Sequence, residues 1–105
     1  MVNVLLVDAT PENGATEIWL GTHHYGNNGL RESTEEPYIS KTALEERKKT
    51  VPPIQACVSK GSLIIRDLRL WHAGIPNQTD DPRIMLSMVL QRRVVLIAGL
   101  FPTLV

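Results

Sequence analysis

The chain has 105 residues, enough for one domain with a modest core. Its 43% hydrophobic and 21% charged residues are typical of a soluble globular protein, and eleven basic residues balance eleven acidic ones. A net charge of zero argues against nucleic acid and membrane partners, since both are held by clustered positive charge. The single cysteine, Cys57, excludes an internal disulfide and a thiolate zinc cluster, and the N-terminus lacks a signal-peptide pattern, so we expect a cytoplasmic protein.

The N-terminal part of the chain predicts two strands around a tight turn. Residues 4–7 form a short apolar run, and residues 16–20 alternate enough to be a returning strand. Between them, residues 10–14 contain a proline and an Asn-Gly pair, which are typical of turns. Residues 21–37 are polar and show no apolar period, so they predict a loop.

One short helix is predicted over residues 42–49. The Thr-Ala-Leu-Glu sequence at its start fits a capping box, and two consecutive prolines end it. Residues 54–58 then alternate as a strand, with Cys57 as a small core residue. The helix surface, rich in Glu, Arg and Lys, is expected to be solvated.

The C-terminal part predicts further strands at residues 63–67 and 83–90, with a short segment at 70–73 between them. The apolar residues 94–97 are able to fold back as an extra strand beside them. The chain is therefore expected to be one mostly β domain, residues 1–105, with a single short helix.

Three stretches stand out by their order and spacing. Residues 10–16 contain Glu-Asn-Gly and are followed at 19–23 by a segment that ends in Gly-Thr-His. Residues 60–67 form a Lys-Gly-Ser turn and an apolar strand, and residues 70–74 read Leu-Trp-His-Ala-Gly. Together the stretches resemble the C-terminal half of phytanoyl-CoA-dioxygenase-like proteins, a family of iron(II)- and 2-oxoglutarate-dependent oxygenases.

The resemblance implies a double-stranded β-helix, the jelly-roll or cupin-like fold, of which this chain would form a half-barrel. Leu20 stands where the family usually has proline. The family's His-x-Asp or His-x-Glu ligand pair, which lies on an earlier strand, has no counterpart in this sequence. Iron(II) in such enzymes is held by two histidines and one carboxylate, so two of the three expected ligands are absent here.

The resemblance assigns His72 as a metal ligand and Arg83, eleven positions later, as the residue that binds 2-oxoglutarate. A planar guanidinium suits a carboxylate because it donates two parallel hydrogen bonds. The alternatives are a hydrogen-bonded core or rim histidine at position 72 and a surface arginine pairing Asp80 or Asp81. We expect the side chains of His72 and Arg83 to lie on the same inner face, where Ser87 is a possible helper by period two. No separate catalytic residue is assigned.

Four other positions have plainer interpretations. His23 occupies the end of the Gly-Thr-His segment and is expected to be a loop histidine rather than a ligand. Trp19 and Trp71 are more typical of core residues than of a substrate platform. Asp67 is expected to hydrogen-bond the backbone just before His72.

Three functions stay open at this point. The first is a dioxygenase, working or descended from one, that oxidises a small organic substrate, such as one of secondary metabolism, with Fe(II) and 2-oxoglutarate. The second is a non-enzymatic β-domain used for binding or assembly, and the third is a metal-free enzyme on the same fold. Because a half-barrel would leave strand edges and apolar faces open, we expect a homo-oligomer.

Overall fold

The computed structural model describes residues 1–25, 38–90 and, for the backbone alone, 95–103. These residues form two small antiparallel sheets and one α-helix, so the mostly β prediction is confirmed. The elements are β1 (Val2–Leu5), β2 (Glu17–Ile18), a 3-10 helix (Thr22–His24), α1 (Lys41–Thr50), β3 (Ile54–Gln55), β4 (Leu63–Ile65), β5 (His72–Ala73), β6 (Arg83–Leu90) and β7 (Val95–Thr103). Within the described residues the sheets do not close into a barrel.

The larger sheet has four strands in the order β4-β1-β6-β7. In β1, Asn3 and Leu5 are buried while their neighbours are only half-buried, as expected for a strand with one face turned inward. The edge strand β4 exposes Leu63 and Ile65, at 59% and 76%, and turns Ile64 toward the interior. This alternation defines an interior face for the whole sheet.

The last strand of this sheet is the apolar tail. β7 pairs antiparallel with β6 along nearly its whole length, from Arg83 opposite Thr103 to Leu90 opposite Val95, with an irregularity near the middle. The tail was expected to be capable of adding a strand, and the structure places one there. As a result β6 is a central strand, with β1 on one side and β7 on the other.

The smaller sheet has three very short strands in the order β3-β2-β5. Ile18 of β2 pairs with both Ile54 and His72, and Glu17 pairs with Gln55 and Ala73. The prediction of a strand at residues 16–20 was therefore right in place but too long.

The expected hairpin between the first two strands is wrong, because β1 and β2 belong to different sheets. Residues 10–14 form a bend that passes the chain from one sheet to the other. Asn13 fixes this bend: its side chain accepts from the Thr10 N–H at 2.8 Å and donates to the Asp8 carbonyl oxygen at 2.6 Å. Gly14 has a φ of 81°, and a Cβ there would clash with the carbonyl oxygen of Ile75.

The helix starts at Lys41, one residue before the start predicted from the sequence. Ser40, rather than Thr42, is the N-cap, and its hydroxyl accepts from the Ala43 N–H at 3.3 Å. The expected surface character of the helix is confirmed, since no residue of it is buried. The helix is tied to the preceding segment by Arg47, whose guanidinium donates a hydrogen bond to the carbonyl oxygen of Leu20 at 2.6 Å.

A small core lies between the sheets, built on Leu5, Ala9 and Ala15 with half-buried apolar residues around them. Cys57 is not part of it: the predicted core position is wrong, because this side chain is exposed. β3 ends at Gln55, and the Cys57 N–H bonds back to the Gln55 carbonyl oxygen at 2.9 Å instead of continuing a ladder. No described helix has the length and apolar character needed to cross a membrane.

Candidate cosubstrate and metal site

The candidate site is a cleft between the two sheets. Its cavity volume is about 20 Å³, which is close to the space that one water molecule needs, and the total space up to the open mouth is about 350 Å³. The larger sheet supplies most of its wall, and the smaller sheet and its flanking segments supply the rest. The lining residues are Asn3, Leu5, Ala9, Thr16, Ile18, Ala56, Ile64, Arg66, Arg83 and Met85.

Arg83, the predicted 2-oxoglutarate residue, lies inside this cleft. It is the first residue of β6 and is only 2% exposed, so the alternative of a surface arginine pairing Asp80 or Asp81 is wrong. Period two along β6 places it on the same face as Met85, whose sulfur lies 3.7 Å from the Arg83 Nη1. Burial lowers the pKa of Arg83 from its ordinary value, because a cation loses hydration there. A buried guanidinium favours an anionic ligand.

A hydrogen bond between β1 and β6 forms part of the same interior face. The Asn3 side-chain amide donates to the Ser87 hydroxyl at 2.6 Å, and both residues are buried. Ser87 was expected to lie on the same face of the strand as Arg83. It does, four residues further along β6. Its described partner is an asparagine of the protein itself.

A second arginine, Arg66, lines the cleft from the end of β4. It is half-buried, its Nη1 is buried without a hydrogen-bond partner among the described residues, and burial lowers its pKa. Its backbone is fixed by a hydrogen bond from its N–H to the Met1 carbonyl oxygen at 3.0 Å. Sequence reasoning missed this residue, although alternation continued from Ile64 would have turned it inward.

His72, the predicted metal ligand, lies in β5 of the smaller sheet, whereas Arg83 lies in the larger one. The two residues therefore do not share a face of one sheet. His72 pairs directly with Ile18, and directly opposed residues project to the same side. His72 does not line the cleft, however; it lines a separate hollow together with Trp19, Tyr38, Leu44 and Trp71.

The His72 ring is exposed, and its Nδ1 lies 2.7 Å from the carbonyl oxygen of Leu70. A carbonyl oxygen only accepts, so Nδ1 carries a proton in this contact. In the neutral imidazole the lone pair is then on Nε2, which is the arrangement that protein metal ligands commonly show. The described contact therefore fits a hydrogen-bonded rim histidine. It equally fits an imidazole whose Nε2 is available to bind a metal ion.

The segment before His72 is held by a buried threonine. Thr22 is fully buried; its hydroxyl accepts from the Trp71 N–H at 2.8 Å and donates to the Trp19 carbonyl oxygen at 2.6 Å. Trp19 and Trp71 are buried, with ring centroids 6.2 Å apart, so their prediction as core residues is confirmed. The role of Thr22 was not visible in the sequence, because the contact depends on a 3-10 turn.

Asp67 also shapes this segment. Its carboxylate accepts from the Arg69 N–H at 2.8 Å, which confirms the predicted backbone hydrogen bond, and from the Arg69 guanidinium at 2.8 and 3.0 Å. These hydrogen bonds hold the pKa of Asp67 well below its ordinary value. His23 and His24 lie apart from the cleft in the 3-10 helix, with ring centroids 4.0 Å from each other.

The described residues do not assemble an iron site. Among them no group of three or more His, Cys, Asp or Glu side chains is placed to hold a metal ion. His72 alone supplies one imidazole, and the sequence contains no His-x-Asp or His-x-Glu. The residues present thus do not fit iron(II), which needs two histidines and a carboxylate in sites of this type.

Comparison with protein families gives a match that agrees with these positions. The family model for phytanoyl-CoA dioxygenase (PhyH) matches residues 1–85, which include His72, Arg83 and both walls of the cleft. The match covers most of the 105 residues. The chain therefore belongs to the phytanoyl-CoA dioxygenase family, a family of iron(II)/2-oxoglutarate-dependent oxygenases.

Proposed function

We propose that this chain is a 2-oxoglutarate-binding, dioxygenase-like domain with a jelly-roll half-barrel fold, in which Arg83 binds the C5 carboxylate of 2-oxoglutarate. The observation that supports the proposal is the burial of Arg83, at 2% exposure, on the interior wall of a cleft. A planar guanidinium on such a wall suits a carboxylate, because it donates two parallel hydrogen bonds. Family membership supports 2-oxoglutarate as the ligand.

His72 is the one metal ligand that we propose for the chain. Its Nδ1 contact with Leu70 leaves Nε2 available. One imidazole does not fix an iron ion, so we propose that the chain alone binds 2-oxoglutarate without converting it. The oxidised substrate of the family activity would be a small organic molecule.

A second function is favoured by the missing ligand pair. A domain that keeps the cleft and its arginine but lacks a metal-binding cluster among its described residues suits binding or assembly without catalysis. The two functions differ in one measurable respect, which is turnover of 2-oxoglutarate to succinate.

The test is a calorimetric titration of the full chain with 2-oxoglutarate, with and without Mn²⁺ as a redox-stable substitute for iron(II). Arg83→Gln is expected to weaken binding about tenfold or more, because a charged hydrogen-bond pair contributes about 1.5–3 kcal/mol. Arg69→Gln is the matched control, since Arg69 is exposed and pairs with Asp67 outside the cleft. Unchanged affinity in a folded Arg83→Gln protein would disprove the anchor.

Turnover is assayed separately, as succinate formation with Fe(II) and ascorbate. We expect none from the chain alone. Succinate formation that is lost in His72→Ala would instead establish an oxygenase whose remaining ligands come from another chain.

A further inference from the structure

The hollow that His72 lines is formed separately from the cleft. Glu17 and Trp19 alternate along the chain with Ile18, and Ile18 lines the cleft. Alternation therefore turns Glu17 and Trp19 to the other face of the smaller sheet, where both line the hollow. Ala73 is the ladder partner of Glu17 and lines the hollow as well. A ligand in the hollow thus does not occupy the cleft.

The hollow is also larger than the cleft. Its cavity volume is about 160 Å³, against about 20 Å³ for the cleft, and the total space up to the open mouth is about 480 Å³. An apolar protein cavity of about 150 Å³ holds one benzene molecule. The hollow therefore has room for a ligand with a single six-membered ring, or for an aliphatic body of similar size.

The wall of the hollow is mainly aromatic and apolar. Trp19 and Trp71 lie side by side on it, with ring centroids 6.2 Å apart and ring planes at 56°. Tyr38, which is 67% exposed, lines the same hollow with Leu44 of α1. Aromatic rings attract a cation that lies within about 6 Å of the ring centroid, and tryptophan does so most strongly. This wall suits a ligand with an apolar body and a cationic head.

The charge of the wall favours a cation too. Glu17 is the one acidic residue among the described residues that line the hollow, and none of them is lysine or arginine. Its Oε1 accepts from the Trp19 indole N–H at 2.9 Å, which holds the carboxylate beside the indole ring. Arg47 of α1 lies over the Tyr25 ring and donates to the carbonyl oxygen of Leu20, so it is not the counterion of Glu17.

We infer that this hollow binds a small organic ammonium ion, with the charged head at Glu17 and the apolar body against Trp19 and Trp71. The inference goes beyond the proposed function, because it needs neither a metal ion nor Arg83. A carboxylate and aromatic rings together select a cation over a neutral molecule of the same shape, since both attract positive charge. An anion of that shape is repelled by the carboxylate.

The experiment compares three ligands that share one ring and differ in their end group: benzylammonium, benzyl alcohol and benzoate. The full chain is titrated with each at neutral pH, in EDTA and without 2-oxoglutarate. Tryptophan emission is followed, because both tryptophans of the chain line the hollow. Benzylammonium is expected to bind about fivefold or more tightly than benzyl alcohol, and benzoate more weakly than either.

Glu17→Gln is the decisive variant, because its amide oxygen still accepts from the Trp19 indole while the charge is gone. It should remove the preference for benzylammonium over benzyl alcohol and leave the affinity for the alcohol unchanged. Glu17→Asp should keep part of the preference. The matched control is the exposed Glu12→Gln, which should keep all of it. Circular dichroism and thermal melting first establish that each variant is folded.

The inference is overturned if wild type does not bind benzylammonium or binds it no more tightly than the alcohol. It is also overturned if a folded Glu17→Gln protein keeps the preference. The proposed function is judged separately, by the loss of 2-oxoglutarate binding in Arg83→Gln. That variant should bind benzylammonium as wild type does, so the failure of one proposal is distinguishable from the failure of the other.

Discussion

Asn3 donates a 2.6 Å hydrogen bond to Ser87 on the buried face where β1 meets β6. The two residues are direct partners in the ladder, so the bond joins the side chains of one rung. It lies on the same interior face as Arg66 and Arg83, and it gives that face a polar centre that does not depend on a ligand.

Ser87→Ala should destabilise the protein by about 1–3 kcal/mol, because it leaves the buried Asn3 amide without its acceptor. Urea unfolding followed by circular dichroism measures the loss. Replacing both partners with apolar residues, in an Asn3→Leu and Ser87→Ala double variant, should recover much of it. The control is the exposed Ser59→Ala, which should change stability by less than about 0.5 kcal/mol. Equal effects at Ser59 and Ser87 would contradict the argument.

The isolated chain should bind iron(II) weakly or not at all, because a single histidine cannot supply three ligands. Anaerobic calorimetry with Fe(II), compared between wild type and His72→Ala, measures this. The matched control is His24→Ala, since His24 lies in the 3-10 helix and not in β5. A tight, stoichiometric site that disappears only in His72→Ala would be the contrary result, and would imply ligands from a second chain.

The Asp67–Arg69 pair should make stability depend on pH in the acid range. Hydrogen bonds from Arg69 depress the pKa of Asp67 in the folded state. The stabilisation is therefore present above the unfolded pKa of about 4 and is lost as the pH falls through the lower folded value. Thermal melts should show wild type above Asp67→Asn at pH 6 to 7, with the gap closing as the pH falls below about 4. A gap that stays constant to low pH, or that also appears in the exposed Asp80→Asn, would refute this assignment.

The edge strand β4 should promote self-association. It is an edge strand among the described residues and exposes Ile65 at 76%, and open apolar edges template further pairing. We expect the wild type to sediment as a dimer or larger, and Ile65→Lys to shift it toward monomer. Leu68→Lys, at an exposed loop position, is the control. A wild-type monomer at tens of micromolar would contradict this prediction, because it would show that the open sheet edge does not drive self-association.

The sequence predicted the elements better than their pairing. The apolar runs located β4 and β6, and they located β1 with a shift, since β1 covers Val2–Leu5 rather than residues 4–7. The sequence also predicted a hairpin at residues 10–14. In the structure Asn13 stabilises a bend there, which carries the chain from one sheet to the other. A local turn signal cannot tell these apart, since the partner of each strand is set by distant residues.

The residues of the candidate site were likewise predicted only in part. Arg83 was found through its fixed spacing from His72 in a family pattern, and the structure adds that it is buried. Arg66 and Asn3 were overlooked because their importance comes from which face of a strand they share with others. Cys57 was placed in the core because it lies in an apolar segment predicted as a strand, whereas β3 ends at Gln55 and the Cys57 N–H bonds back to the Gln55 carbonyl oxygen.

The pairing of the two tryptophans has an optical consequence. Trp19 and Trp71 are the only tryptophans of the chain, and both are buried on the smaller sheet with ring centroids 6.2 Å apart. Neither lines the cleft that contains the arginines. Intrinsic emission of this protein therefore reports on one side of the molecule, next to His72. Tryptophan fluorescence is expected to respond to a metal ion or to local unfolding near His72. It should respond little to a ligand that binds in the cleft between the sheets.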